Sequence, residues 1–356
     1  MRRYFEDVLE KMIAADLRKE TLDISAFGEQ QLKYYPKYLY KYRTCDKDHN
    51  FDMITQEYLW ADIPENFSDP YDSLIHLKFG SELPVIQSWL YQHIGEILYY
   101  SIPPKGMKPH KNGQTLKLYR STQEQFFDVS GRYNAKKAQR LMLVELNKLP
   151  QNERLDVQRL FEHFESDEFQ KILEEAIYNS LVNVINALRR KVKVCCVTTR
   201  RDNRNMWENY AAQYAGFVIE YKTENALKRS ECVSTLAQMF PVTYYKRFPK
   251  VPLLPFIQRE FDKALYNRER DILPSIKQLN KQLVSKKYDY RAEEEWRILT
   301  PNNRIEFPLI SAVYAGYRIR EEDLNRLGDC CKLIGVPLYK QQLGVFDDLM
   351  RYEQVL

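Results

Sequence analysis

The sequence predicts an α+β protein: a small mixed or antiparallel sheet as core, with large helical insertions. Two observations predict it. Short β-forming runs recur at 33–44, 191–199 and 310–316. Between them lie stretches of variable length whose apolar residues fall at three- and four-residue spacing, which suits a decorated core better than a regular parallel α/β fold. With no internal repeat, low-complexity tract or long linker, 1–356 is expected to be a single decorated domain.

Residues 1–30 read as helix, with Phe5, Val8, Leu9, Met12, Ile13 and Leu17 on one stripe, so 1–32 is expected to be an N-terminal helical extension. The first half of the core, 33–100, opens with a strand after Pro36. Tyr38, Tyr40 and Tyr42 should share one face, and Leu39, Lys41 and Arg43 the other. A short strand follows at Tyr58 to Asp62, then a turn-rich loop from Pro64 to Asp72, in which Phe67 serves as anchor. Residues 81–100 and about 150–190 are helical by periodicity, and Ile102 to Gly113 is a Pro/Gly loop, so 101–190 is expected to be a mainly helical insertion.

The second half, 191–320, starts with the β-rich run 191–199. Asp202 or Asn203 should cap a short helix through Met206 to Ala212, ended by Gly216, with a strand at 216–221. A basic helical insertion is expected at 251–285, a further strand at 310–316, and a C-terminal extension at 321–356.

The acidic segment from Tyr290 to Ile298 is the most informative. Read as a strand, it places Glu293, Glu295 and Arg297 on one face and Glu294, Trp296 and Ile298 on the other. Two like charges so close raise one pKa, giving an acid/base pair or a cation site. An amphipathic surface helix is the plainer alternative for a charge run.

Composition narrows the function classes. The net charge of +5 is compatible with an anionic ligand or nucleic acid without demanding either. No apolar run is long enough to span a bilayer and the N-terminus lacks a signal-peptide core, so a cytoplasmic protein with no membrane partner is expected. The six cysteines lack zinc-ligand spacing and read as buried thiols. The five histidines form no metal-like pair and supply no base for a nucleophile triad, so no metal ligands are assigned. The 26 tyrosines suit a cleft or an interface as well as half-buried surface.

Four blocks carry a resemblance. They are Tyr40-Lys41-Tyr42-Arg43; Trp60 with Asn66 to Asp72; Met206-Trp207 with Tyr210-Ala211 and Gly216-Phe217; and Glu293, Glu295, Trp296 and Arg297. Together they resemble a bacterial family of uncharacterised proteins, domain of unknown function twenty-nine seventy-one. Ser68 stands where that family has asparagine, and Thr198-Thr199 where it has Phe-Ser. More remotely, an arginine ending an early strand, hydroxyl residues ending a second, and Glu-x-Glu later in the chain are similar to the Arg–Ser–Glu type of ADP-ribosyltransferases, although threonines replace serine.

That second resemblance implies a split sheet and NAD as substrate. It assigns Arg43 to the pyrophosphate, Thr198 and Thr199 to bracing, Glu295 as the catalytic carboxylate and Glu293 as the acceptor-side base. Tyr42, Trp207 and Tyr210 would sandwich nicotinamide. ADP-ribose would pass to an unknown macromolecular acceptor, protein or nucleic acid, in antiviral defence or a toxin system. Two other classes remain open. One is a metal-dependent nuclease using Asp69, Asp72, Glu293 and Glu295 with Lys286-Lys287. The other is a non-catalytic sensor or binding module. Oligomeric state is open.

Overall fold

The computed structural model describes Phe5, Val8, residues 32–67, 69, 72, isolated positions between 82 and 190, residues 192–266, 270, 278, 281–343 and 350–356. The helices expected at 1–30, 81–100 and 150–190, and the loop at 102–113, lie almost wholly outside the described residues. The chain divides into two compact units: 1–75, 186–249 and 277–356 form one, and 76–185 with 250–276 the other. The second unit overlaps the two helical insertions expected from the sequence.

The first unit is α+β, built on an eight-stranded, mostly antiparallel sheet. Its strands are β1 (Tyr38–Arg43), β3 (Lys193–Thr198), β4 (Phe217–Lys222), β5 (Met239–Pro241), β8 (Glu295–Thr300), β10 (Ile310–Ala315), β11 (Leu338–Gln342) and β12 (Arg351–Gln354). The order is β12-β11-β10-β4-β1-β3-β8-β5, with only β10 and β11 parallel. Two small ladders pair β2 (Tyr58–Trp60) with β9 (Arg304–Glu306), and β6 (Thr243–Tyr245) with β7 (Ser285–Lys287). The described helices of this unit are α1 (Asp48–Thr55), α2 (Arg204–Tyr210), α3 (Ser230–Ala237) and α5 (Glu321–Ile334).

Cross-strand register sets the two faces of the sheet, because partners in a ladder project to the same side. Tyr40 opposes Glu220, and Tyr42 opposes Val218. This face packs with Ala312 and Tyr314 against Trp207 and Ala211 of the α2 segment, in one buried cluster. Leu39 opposes Tyr221, and Arg43 opposes Phe217, on the other face. There Phe51 of α1 and Phe307 close over Phe217 and Tyr221 at ring distances of 5.5 and 5.4 Å.

Asn203 caps α2, its side chain accepting from the Met206 amide. Gly216 does not end this helix. The chain leaves it through three left-handed residues, Ala212, Gln213 and Tyr214. Gly216 is needed for a close approach instead: a Cβ there would lie 2.2 Å from the Arg43 carbonyl oxygen.

In the second unit, α4 (Leu254–Tyr266) receives Glu82 at its N-terminus, whose carboxylate accepts from the Leu253 and Leu254 amides at 2.5 and 3.4 Å. A carboxylate stabilises the positive end of the helix dipole there. Residue 285, the expected end of the 251–285 helical stretch, is instead the first residue of β7.

Candidate functional site

β1 and β3 are sheet neighbours, yet they share a single register pair, Tyr40 with Thr198. Beyond it they part. A cavity of about 1040 Å³ opens there, lined by β1 from Tyr40 to Arg43, by Cys196 of β3, and by Tyr210, Lys286, Glu293 and Glu295. Separated strands leave main-chain groups without ladder partners, and such groups must be satisfied otherwise. The Lys41 ammonium does this for the Cys196 carbonyl.

At one end lies a buried charge network. Lys286 Nζ donates to Glu293 Oε2 at 2.7 Å and to Glu295 Oε2 at 2.8 Å. Arg297, with no exposed side-chain surface, donates through Nε to Glu295 at 2.6 Å, through Nη2 to Asp72 at 2.7 Å and through Nη1 to the Leu283 carbonyl at 2.7 Å. Asp72 also stands 3.7 Å from Lys286. Lys286 further lies 4.9 Å from the centre of the Tyr290 ring, a cation–π contact.

These environments push the two glutamates apart. Burial opposes ionisation of Glu295, but Arg297 and then Lys286 outweigh it and hold its carboxyl well below the usual carboxylate range. Burial raises Glu293; Lys286 pulls the other way, and the neighbouring Glu295 charge adds to the rise. Burial likewise opposes the Lys286 charge, yet Glu295, Glu293 and Asp72 keep it an ammonium. Carboxyls displaced in opposite directions are the pattern of an acid/base pair.

The cations on β1 contrast with this. Arg43 Nε contacts the Met53 sulfur at 3.3 Å, and Lys41 donates to a carbonyl. Among the described residues, neither these two nor Lys47, which also lines the cavity, has a carboxylate within ion-pairing distance. Asp72, from the turn-rich loop, pairs with Arg297 and Lys286.

The acidic segment differs from a plain strand. Residues 288–293 form a 3-10 turn, Glu294 is left-handed with φ 44°, and β8 begins at Glu295. Glu293 and Glu295 still converge, because that one left-handed residue turns the chain between them. Glu294 points away to Arg200 at 2.6 Å and Thr199 at 2.5 Å. Trp296 faces the core on Phe5 and Tyr35.

The other residues singled out in the sequence divide by surroundings. Glu293, Glu295, Arg43, Tyr42 and Tyr210 line the cavity. Thr198 donates to the Glu293 carbonyl and Thr199 to Glu294, so both brace the turn from outside the cavity. Trp207 is fully buried, edge-on to Tyr42 and stacked on Tyr214. That makes it core and not a shelf for a ligand ring. The bridging roles of Lys286, Arg297 and Asp72 were missed, although the two-residue period of Glu295 and Arg297 was a usable signal for one of them.

The loop after β3 holds the acidic turn in place. Asn203 Nδ2 donates to the Ala292 carbonyl at 2.6 Å. The Arg201 carbonyl accepts from Trp207 Nε1 at 3.0 Å and from the Tyr42 hydroxyl. The Arg201 guanidinium sits between the rings of Tyr314 and Tyr352, 4.8 and 4.6 Å from their centres. The Tyr352 hydroxyl of β12 donates to Asp202 at 2.8 Å.

Among the described residues, no group of three or more His, Cys, Asp and Glu side chains is arranged to hold a metal. The point on which Glu293 and Glu295 converge is taken by the Lys286 ammonium. No helix among those residues is long and apolar enough to cross a membrane. Residues 206–298 match the model of a family described as a protein of unknown function (DUF2971). That span covers two of the four motif blocks, including Glu293 and Glu295. No curated protein and no solved structure matches the chain.

Proposed function

We propose that the cleft binds NAD and cleaves its nicotinamide–ribose bond, passing ADP-ribose to a nucleophilic acceptor. One observation carries this reading: a single cavity holds cations on β1 that, among the described residues, pair with no carboxylate, and, at its other end, two carboxyls displaced in opposite directions.

Arg43, with Lys47, suits the pyrophosphate, since a guanidinium pairs with phosphate oxygens in a fork. At the acid end, Asp72, Glu293 and Glu295 face two cations, Lys286 and Arg297. When ionised, these carboxylates favour the positive charge that develops on the ribose as neutral nicotinamide departs. Glu295 is committed to Arg297 and Lys286, so its role is to hold that field. Glu293, with its raised pKa, is the group to accept the acceptor's proton. This moves the leading assignment from Glu295 to Glu293. Tyr210, partly exposed at the cavity wall, is the ring available to a ligand base.

The test is NAD labelled in nicotinamide, incubated with the protein with and without cell extract. Release of nicotinamide is expected, reduced at least about 100-fold in Glu293→Gln. NAD should raise the melting temperature of the wild type and not of Arg43→Ala. If NAD neither stabilises the protein nor is consumed, the proposal fails. Mg²⁺-dependent cleavage of nucleic acid insensitive to NAD would replace it, and NAD binding without turnover would leave a sensor.

A further inference from the structure

Two of the lysines that line the cleft stand in opposite circumstances. Lys286 is surrounded by carboxylates and is fixed as an ammonium. Lys41 reaches the same cavity from β1, and its ammonium has one neutral acceptor, the Cys196 carbonyl. The groups that face it are Arg43 on its own strand, Cys195 and Cys196 on β3, and Glu295 on β8. Of these, Glu295 is already saturated by Arg297 and Lys286, and Arg43 is a like charge two residues along the same face. Burial with a neighbouring cation and no counterion favours the neutral amine, the condition under which lysine becomes a nucleophile. Its pKa is lowered from the ordinary lysine value, with burial the main cause.

Arg43 adds the second half of a site. Side chains at i and i+2 of a strand project to one side about 6–7 Å apart. A small molecule carrying both a carbonyl and a phosphate could therefore present its carbonyl to Lys41 while its phosphate rests on Arg43. We propose that Lys41 is a carbonyl-reactive amine and that the β1 wall of the cleft takes phosphorylated aldehydes or ketones as imines.

The chemistry balances without an added reagent. The nitrogen lone pair of Lys41 adds to the carbonyl carbon and the C=O π pair moves to oxygen. Two protons pass from nitrogen to that oxygen, water leaves, and C=N remains, with no change in oxidation state. This site does not depend on NAD being the substrate.

The probe is pyridoxal 5′-phosphate, added to the full chain and followed by borohydride, which reduces the imine to a stable secondary amine. Peptide mapping of the wild type is expected to place the reduced adduct on Lys41 ahead of all other lysines. Lys41→Arg should lose that adduct. Arg43→Ala should reduce labelling by pyridoxal 5′-phosphate at least about tenfold, the factor that corresponds to one lost charge-assisted contact, while leaving labelling by unphosphorylated pyridoxal unchanged. Labelling spread evenly over surface lysines, or directed to Lys286 or Lys47, would overturn the proposal. Mapping on the wild type decides this even if Lys41→Arg does not fold. The two proposals separate cleanly: Glu293→Gln should reduce nicotinamide release at least about 100-fold and still be labelled at Lys41. NAD turnover with Lys41 unlabelled would sink only this second assignment.

Discussion

Replacing Arg297 by methionine should be the most damaging single change at the cleft. The guanidinium has no exposed surface, and it supplies hydrogen bonds to Glu295, Asp72 and the Leu283 carbonyl at 2.6–2.7 Å. Methionine fills most of the volume and donates nothing. Two carboxylates and a carbonyl then stay buried without that donor set. Removing one partner of a buried pair typically costs about 3–5 kcal/mol, most of it the penalty on the charge left behind. For a unit of this size each kcal/mol lowers the melting temperature by about 2–4 °C, so a loss of about 6–20 °C is expected. Thermal denaturation followed by circular dichroism at pH 7 measures it. The decisive comparison is the triple variant Arg297→Met with Glu295→Gln and Asp72→Asn. If the cost comes from orphaned charge, neutralising both carboxylates should recover at least half of the loss. A single variant within about 1 kcal/mol of wild type, or a triple variant no better than the single, would refute the view that this network is held by mutual charge compensation.

Glu293 should make stability fall as pH rises. Its folded pKa is raised, so between the unfolded value of about 4.3 and that higher value the native state binds more proton than the unfolded chain. Melting temperatures of wild type should therefore decline relative to Glu293→Gln across that window, and parallel curves would contradict the assignment. Glu295, displaced downward, has the opposite sign: its contribution is complete at neutral pH and is lost only as pH falls below about 4. Two glycines give a paired test by denaturant titration. Gly216→Ala forces a Cβ to 2.2 Å from a main-chain oxygen and should cost about 2–3 kcal/mol or more. Gly328→Ala, inside α5 with nothing within 4 Å, should add about 0.5–1 kcal/mol. Equal effects at the two positions would count against the close approach of Gly216 to β1.

The central strands were legible in the sequence because both their faces are covered, which forces runs of β-branched and aromatic residues. β1, β3 and β10 fall within the expected runs, and β4 runs one residue past its own, to Lys222. The small sheet expected is instead eight strands wide, because β5, β11 and β12 are three to five residues long and lie at or beside the sheet edges. Edge strands such as Arg351–Gln354 are largely exposed and carry no alternation to detect. At the site, the convergence of Glu293 and Glu295 was legible from their spacing, but the left-handed Glu294 between them was not. Arg297 meets Asp72 across 225 residues of chain, a separation at which local pattern carries no information. Trp207 shows the ambiguity of an aromatic at helical spacing: the pattern fits a ligand shelf and a core equally, and only burial decides for the core.

The contact between Tyr352 and Asp202 spans 150 residues, and it bears on when the cleft exists at all. The acidic turn hangs on the loop after β3, and that loop is gripped by an aromatic ring on the outermost strand of the sheet. Contacts of such long range repay their loop-closure entropy late in folding, so the turn is among the last features to be organised. The same connection runs in reverse. Edge strands fray at a free energy below that of global unfolding. An opening of β12 would remove the Tyr352 contacts to Arg201 and Asp202, while the contacts of that loop to Tyr314, Trp207 and Tyr42 would stay with the central sheet.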